Sequence, residues 1–169
     1  MRQKVLVFDT SMLCVWLQVP GFETCGKTGD LWDYSRVKQK VEEETAENTV
    51  FVLPLAVLIE TGNHISQAKG DRYELGERFK QLLLAAVDNR EPWVAFSEQN
   101  TLWNDDKLRE LANQFPQLFS QGISIGDATI RDVAEYYAQM RHPVEIFTGD
   151  DGLKAYESDV KTLTPRRRK

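Results

Sequence analysis

Three short apolar runs, "VLVF" within a strand read over 4–8, "NTVFVL" at 48–53 and "VEIF" at 144–147, are each followed by a stretch of helical character. Runs of this length suit strands covered on both faces, and strands alternating with helices imply a mainly parallel sheet. "WVAF" at 93–96 reads as a further short strand and "VKTLT" at 160–164 as an edge strand. The expected architecture is therefore α/β, a three-layer α/β/α sandwich around a mainly parallel sheet of four to five strands. Between the strands, "TSMLCVWLQV" reads as a helix closed by Pro20-Gly21. Residues 21–32, rich in Gly and Thr, read as a loop, and 33–47 as a polar, Glu-rich helix. "PLAVLIETGNHISQA" starts a helix at Pro54. Residues 72–88 place Leu75, Phe79, Leu82, Leu83, Ala86 and Val87 on one helical stripe. A helix over 104–119 points Leu108, Leu111, Ala112 and Phe115 inward and breaks near Pro116. Ser124, three residues before Asp127, opens another helix to about residue 141 in the manner of a capping box, and a short one covers 151–157.

At 169 residues the chain has the length of one domain, 1–164, followed by a basic tail at 165–169. The net charge is −5 while Arg166–Lys169 carry +4, which leaves −9 on the rest. An acidic body offers no continuous basic face to a polyanion, so contact with nucleic acid must rest on local patches. Lys69, Arg72, Arg78, Lys80, Arg131 and the terminal arginines are the candidates, each also readable as a solvated surface charge. The start, "MRQKVLVFDTS", has too short an apolar run for a secretory signal, and no run has the ~18 apolar residues of a membrane helix. Cys14 and Cys25 then read as free thiols in a reducing cytoplasm, and no membrane partner is expected. His64 and His142 are isolated, which argues against zinc and against Ser/His/Asp catalysis.

The chemistry-bearing residues are acidic. Asp9 follows the first strand and Asp150 the third, at the sheet edge where open α/β proteins bind ligands. Asp127 lies in the first turn of its helix, and Glu60 is the first charge after the twelve uncharged residues 48–59. Asp9 and Asp150 also read as helix caps, and Asp127 as part of its capping box. Nothing local asks for Glu60. Brought together, like charges at ~5 Å in an effective dielectric near 20 repel by roughly 3 kcal/mol per pair. Either protons stay on, or a cation sits among them. An all-oxygen set suits Mg²⁺ or Mn²⁺, and metal-assisted phosphodiester hydrolysis needs no other special group. Thr10, Ser11 and Thr148 would then orient a carboxylate or its waters, or serve as turn and cap residues.

"VLVFDTSML", "FVLPLAVLIETG", "GISIGDATIRDVAEYY" and "VEIFTGDDGL" resemble, in order and spacing, the four acidic motifs of PIN-domain nucleases. The resemblance spans residues 4–157. It implies a metal-dependent endonuclease, acting on RNA rather than DNA, with Mg²⁺ or Mn²⁺ held by Asp9, Glu60, Asp127 and Asp150. Asp151 is a stand-in for Asp150 within "TGDD". It also implies homodimers and, in small toxin-type members, an antitoxin or regulatory protein as partner. The chain is longer than those members, with extra material at 21–47 and 97–121.

Three rival readings come from other classes. A catalytically silent PIN-like scaffold would show no metal response. A phosphatase using Asp9 as nucleophile in the haloacid-dehalogenase manner wants Asp where Ser11 stands, and no G-x-G-x-x-G turn marks a dinucleotide site. Among the four tryptophans, Trp32 and Trp103 are the candidates for stacking on substrate or partner.

Overall fold

The computed structural model describes residues 2–94 and 96–162, with the side chains of Phe96 and of 158–162 outside that description. Its centre is β1 (Val5–Phe8), a strand whose four residues are all fully buried. β1 pairs in parallel with β4 (Val50–Val52) on one side and β5 (Val144–Phe147) on the other, giving the order β4-β1-β5. A strand hidden on both faces has no polar side to alternate with, which is why it is written as an uninterrupted apolar run. Phe8 anchors this core among Trp16, Phe51, Trp93 and Phe147, with ring centroids 5.3–5.6 Å away.

Helices fill both connections. α1 (Thr10–Trp16) and α2 (Tyr34–Ala46) lie between β1 and β4. Between β4 and β5 come α3 (Leu55–Gln67), α4 (Arg72–Val87), a 3-10 segment Phe96–Trp103, α5 (Asp105–Ser120) and α6 (Ile125–Gln139). α7 (Asp151–Thr162) follows β5 and packs on it, while α6 packs on β1 and β5. The chain leaves β1 towards β4 and later reaches β5 on the far side of β1. The carboxyl ends of β1 and β5 thus frame a topological switch point, where α/β sheets place their ligands.

Several expectations are corrected. The described sheet has three parallel strands, not four or five: the described residues of "WVAF" contribute a single bridge, Trp93 to Phe51. The stretch read as a loop forms an antiparallel hairpin, β2 (Thr24–Lys27) and β3 (Asp30–Asp33). Its strands are mostly exposed, so no apolar alternation announces them, and Gly29 at φ +90 supplies the turn. Residues 160–162 of the expected edge strand continue α7, and 163–164 lie outside the described residues, as does the basic tail. α5 runs through Pro116 unbroken, because Leu111 and Leu118, either side of it, pack together with Ala128. Leu108, Ala112 and Val87 face solvent instead of the core. No described helix is long and apolar enough to cross a membrane.

At the amino end of the sheet, α2, β5 and α7 meet in an ion-pair network. Lys4 and Lys40 both reach Glu44, each at 2.5 Å, and both reach Glu145, at 2.5 and 3.1 Å. Lys154 adds pairs to Glu145 and Glu157. Glu44 is buried, and Thr49 donates its hydroxyl to the second carboxylate oxygen at 2.5 Å. Burial pushes the Glu44 carboxyl up, but hydrogen bonds from Lys4, Lys40 and Thr49 outweigh it and hold the group at about 2.

Candidate acidic site

The opposite end of the sheet carries carboxylates of another kind. Asp9 leaves β1 with its backbone N–H donated to Phe147 O at 3.1 Å, which ties the first turn of α1 to the end of β5. Its side chain is buried and accepts three hydrogen bonds. Thr10 N–H donates to Oδ1 at 2.6 Å; the hydroxyls of Ser11 and Thr148 donate to Oδ2 at 2.9 and 2.7 Å. Thr148 also accepts the Asp150 N–H at 3.0 Å, so one threonine links two of the acids. Thr10 Oγ1 donates to Glu60 Oε2 at 2.7 Å, bringing the second turn of α3 to the same place.

Glu60 lies against α6 at Gly126, where a methyl group would overlap its Oε1. The next residue, Asp127, lies in the first turn of α6 with its N–H bonded to Ser124 Oγ at 3.0 Å. Asp150 caps α7, accepting the Leu153 N–H at 2.9 Å. The cap readings of Asp9 and Asp150 are thus both realised, alongside their placement in a shared cleft. Asp9, Ser11, Asp127 and Asp150 line that cleft, of about 530 Å³, together with Lys27 and Asp151.

The electrostatics are those of crowded anions. Burial raises the Asp9 carboxyl above its ordinary value; the Thr148, Ser11 and Thr10 hydrogen bonds oppose this, and the Glu60 charge adds to it. Burial also raises Asp127, and the charges of Asp9, Asp150 and Glu60 push it further. Among the described residues, none of these four carboxylates forms an ion pair. Also among the described residues, no group of three or more His, Cys, Asp or Glu side chains converges closely enough to hold a metal ion as it stands. The donor chemistry itself fits a hard divalent cation: oxygen ligands only, in a cleft whose one lining cation among the described residues, Lys27, is paired with Asp151. Asp9, Glu60, Asp127 and Asp150 are the residues that would hold it.

Asp151 lines the cleft at its exposed lip, where its Oδ2 pairs with Lys27 Nζ at 2.8 Å. Lys69, Arg72 and Arg131 do not line the cleft. Arg72 bonds Ser66 O, and Arg131 reaches Gln114 and lies over the Tyr156 ring. Arg78 pairs with Glu74, and Lys80 with Glu77. Trp32 is packed edge-on against Phe147 with Arg36 above it, so its faces serve the hairpin, and Trp103 is half-buried with its indole nitrogen enclosed. Cys14 is buried, its thiol pushed up to about 12 chiefly by burial, which leaves it inert.

Lys27 is the cleft residue that composition hid. The signal was present: Thr28-Gly29 between "TCGK" and "DLWD" is a two-residue hairpin connection. The hairpin is docked by direct backbone contact, since a Cβ on Gly149 would stand 2.8 Å from the N and Cα of Gly26. Backbone cannot swing aside as a side chain can. Gly149→Ala should therefore cost about 1–3 kcal/mol through displacement of the hairpin. Limited proteolysis would read this as faster cleavage within 21–33; an unchanged rate would mean that the contact does not hold the hairpin.

No family model, curated protein or solved structure matches the chain.

Proposed function

We propose that this protein is a divalent-metal-dependent nuclease of the PIN type, acting on RNA, with Asp9, Glu60, Asp127 and Asp150 as metal-holding acids. One observation carries the reading. The chain neutralises its buried carboxylates at one end of the sheet with three lysines, yet at the other end Asp9, Asp127 and Asp150, which line the cleft, and Glu60, joined to them through Thr10, have no ion pair among the described residues. Anions gathered at such a cost to stability are explained by a counter-charge that comes from outside the chain.

A bound Mg²⁺ or Mn²⁺ would supply activation of a water and stabilisation of charge on the departing oxygen. The chain's own part is orientation. Ser11, Thr148 and the Thr10 amide hold the Asp9 carboxylate in one pose, and Thr10 holds Glu60. Gly126 leaves the room that the Glu60 carboxylate occupies. These hydroxyls fix charges that would otherwise drift apart.

A second reading, a catalytically silent scaffold of the same shape, draws on the lack of three converged ligands among the described residues. Incubation with total RNA and single-stranded DNA in Mn²⁺ separates the two. Cleavage of RNA that EDTA abolishes is the expected result. No cleavage, or cleavage that survives EDTA, would contradict the metal-nuclease reading.

A further inference from the structure

A cleft lined by carboxylates repels a polyanion, so a nucleic-acid strand needs at least one cation at its mouth. Lys27 is the one cation lining this cleft among the described residues. It stands directly after Gly26, the residue that packs its backbone on Gly149, so the lysine stem starts from a fixed point beside the acids. The rest of the hairpin is braced as well: Trp32 packs on Phe147, and Arg36 stacks on Trp32 while pairing with Asp30.

The partner of Lys27 is replaceable. The Lys27 and Asp151 side chains are 60% and 71% exposed, and ion pairs at such sites contribute about 0–1 kcal/mol. A phosphate offers a lysine more charge and more acceptor oxygens than one carboxylate does. We propose that Lys27 is a substrate-binding residue: it exchanges Asp151 for a backbone phosphate of a single-stranded nucleic acid and so holds the strand over the acids. This rests on the nuclease reading above. The β2–β3 hairpin is then the arm that presents the lysine, and Asp151 is its resting partner.

The exchange makes Lys27 and Asp151 act in opposite directions, whereas a purely structural ion pair would make them act alike. The test is steady-state cleavage of a fluorogenic single-stranded RNA in Mn²⁺ over a range of KCl, with Lys27→Gln, Lys27→Arg and Asp151→Asn. Lys27→Gln should raise KM about tenfold, the low end for a charge-assisted contact, and leave kcat within about twofold. The slope of log KM against log salt should fall by about 0.7, the value for one phosphate contact on a single strand. Lys27→Arg should restore KM, and Asp151→Asn should lower it several-fold by removing the competing anion. If Lys27→Gln and Asp151→Asn shift KM in the same direction, or the salt slope is unchanged in Lys27→Gln, the proposal is overturned while the nuclease reading stands. Wild-type protein that cuts no nucleic acid overturns that reading, and this proposal with it.

Discussion

Replacing Glu44 by Gln should lower stability by about 2–4 kcal/mol and the melting temperature by roughly 5–15 °C. The substitution keeps the shape and removes the charge that Lys4 and Lys40 share. Breaking a buried pair costs roughly 3–5 kcal/mol because the survivor is left uncompensated. Here the lysines keep 31% and 22% exposure and can turn to Glu145, so the lower part of that range applies. The pH dependence has a definite sign. The folded carboxyl sits at about 2 against 4.5 ordinarily, so the unfolded chain binds the proton first as pH falls. The wild-type advantage over Glu44→Gln should be complete above about pH 5 and vanish as pH approaches the folded value. Thermal melts of both proteins from acid to neutral pH check this. Parallel curves would mean that Glu44 contributes packing and no charge.

Asp9→Asn should do the reverse at the other end of the sheet. In metal-free buffer it should raise stability, by about 0.5–2 kcal/mol, while reducing Mn²⁺-dependent cleavage about 10³-fold. The side-chain oxygen can still accept the Thr10 N–H, and the hydroxyls of Ser11 and Thr148 can rotate to accept from the new amide. What disappears is a desolvated charge facing Glu60 and Asp127. Because the folded Asp9 carboxyl lies above its ordinary value, the folded state takes up the proton first. Its destabilisation is therefore present at neutral pH and relieved on acidification, opposite in sign to Glu44. Melts in EDTA beside cleavage assays read both effects. A less stable Asp9→Asn would mean that the three hydrogen bonds outweigh the repulsion.

The parts of this molecule legible in its sequence are those where burial is two-sided or where local chemistry marks a boundary. β5 could be bounded to the residue and β1 to within one, because a strand hidden on both faces leaves an apolar run with turn residues after it. Ser124 and Pro54 marked the starts of α6 and α3 by cap chemistry alone. The hairpin was illegible by hydropathy, since β2 and β3 bury little and only the Thr28-Gly29 turn betrays them. A fourth parallel strand read from "WVAF" is not shown: its described residues meet β4 through one bridge, and a 3-10 segment begins at Phe96. Of the site, the positions of Asp9 and Asp150 follow from strand ends, and Asp127 from its cap. Glu60 showed only as a charge without local cause, and the contact that explains its room, Gly126, lies 66 positions away. Lys27 belonged to the hairpin and was hidden with it.

The most direct measurement is a Mn²⁺ titration of the melting temperature of wild-type protein beside Asp9→Asn. A divalent ion held by the folded acids should stabilise the wild type by about 2.7 kcal/mol at a hundredfold excess over its Kd, a rise of roughly 5–10 °C. The rise should be absent in Asp9→Asn. A wild type that melts at the same temperature with and without Mn²⁺, or an Asp9→Asn variant that rises equally, would contradict the cation site.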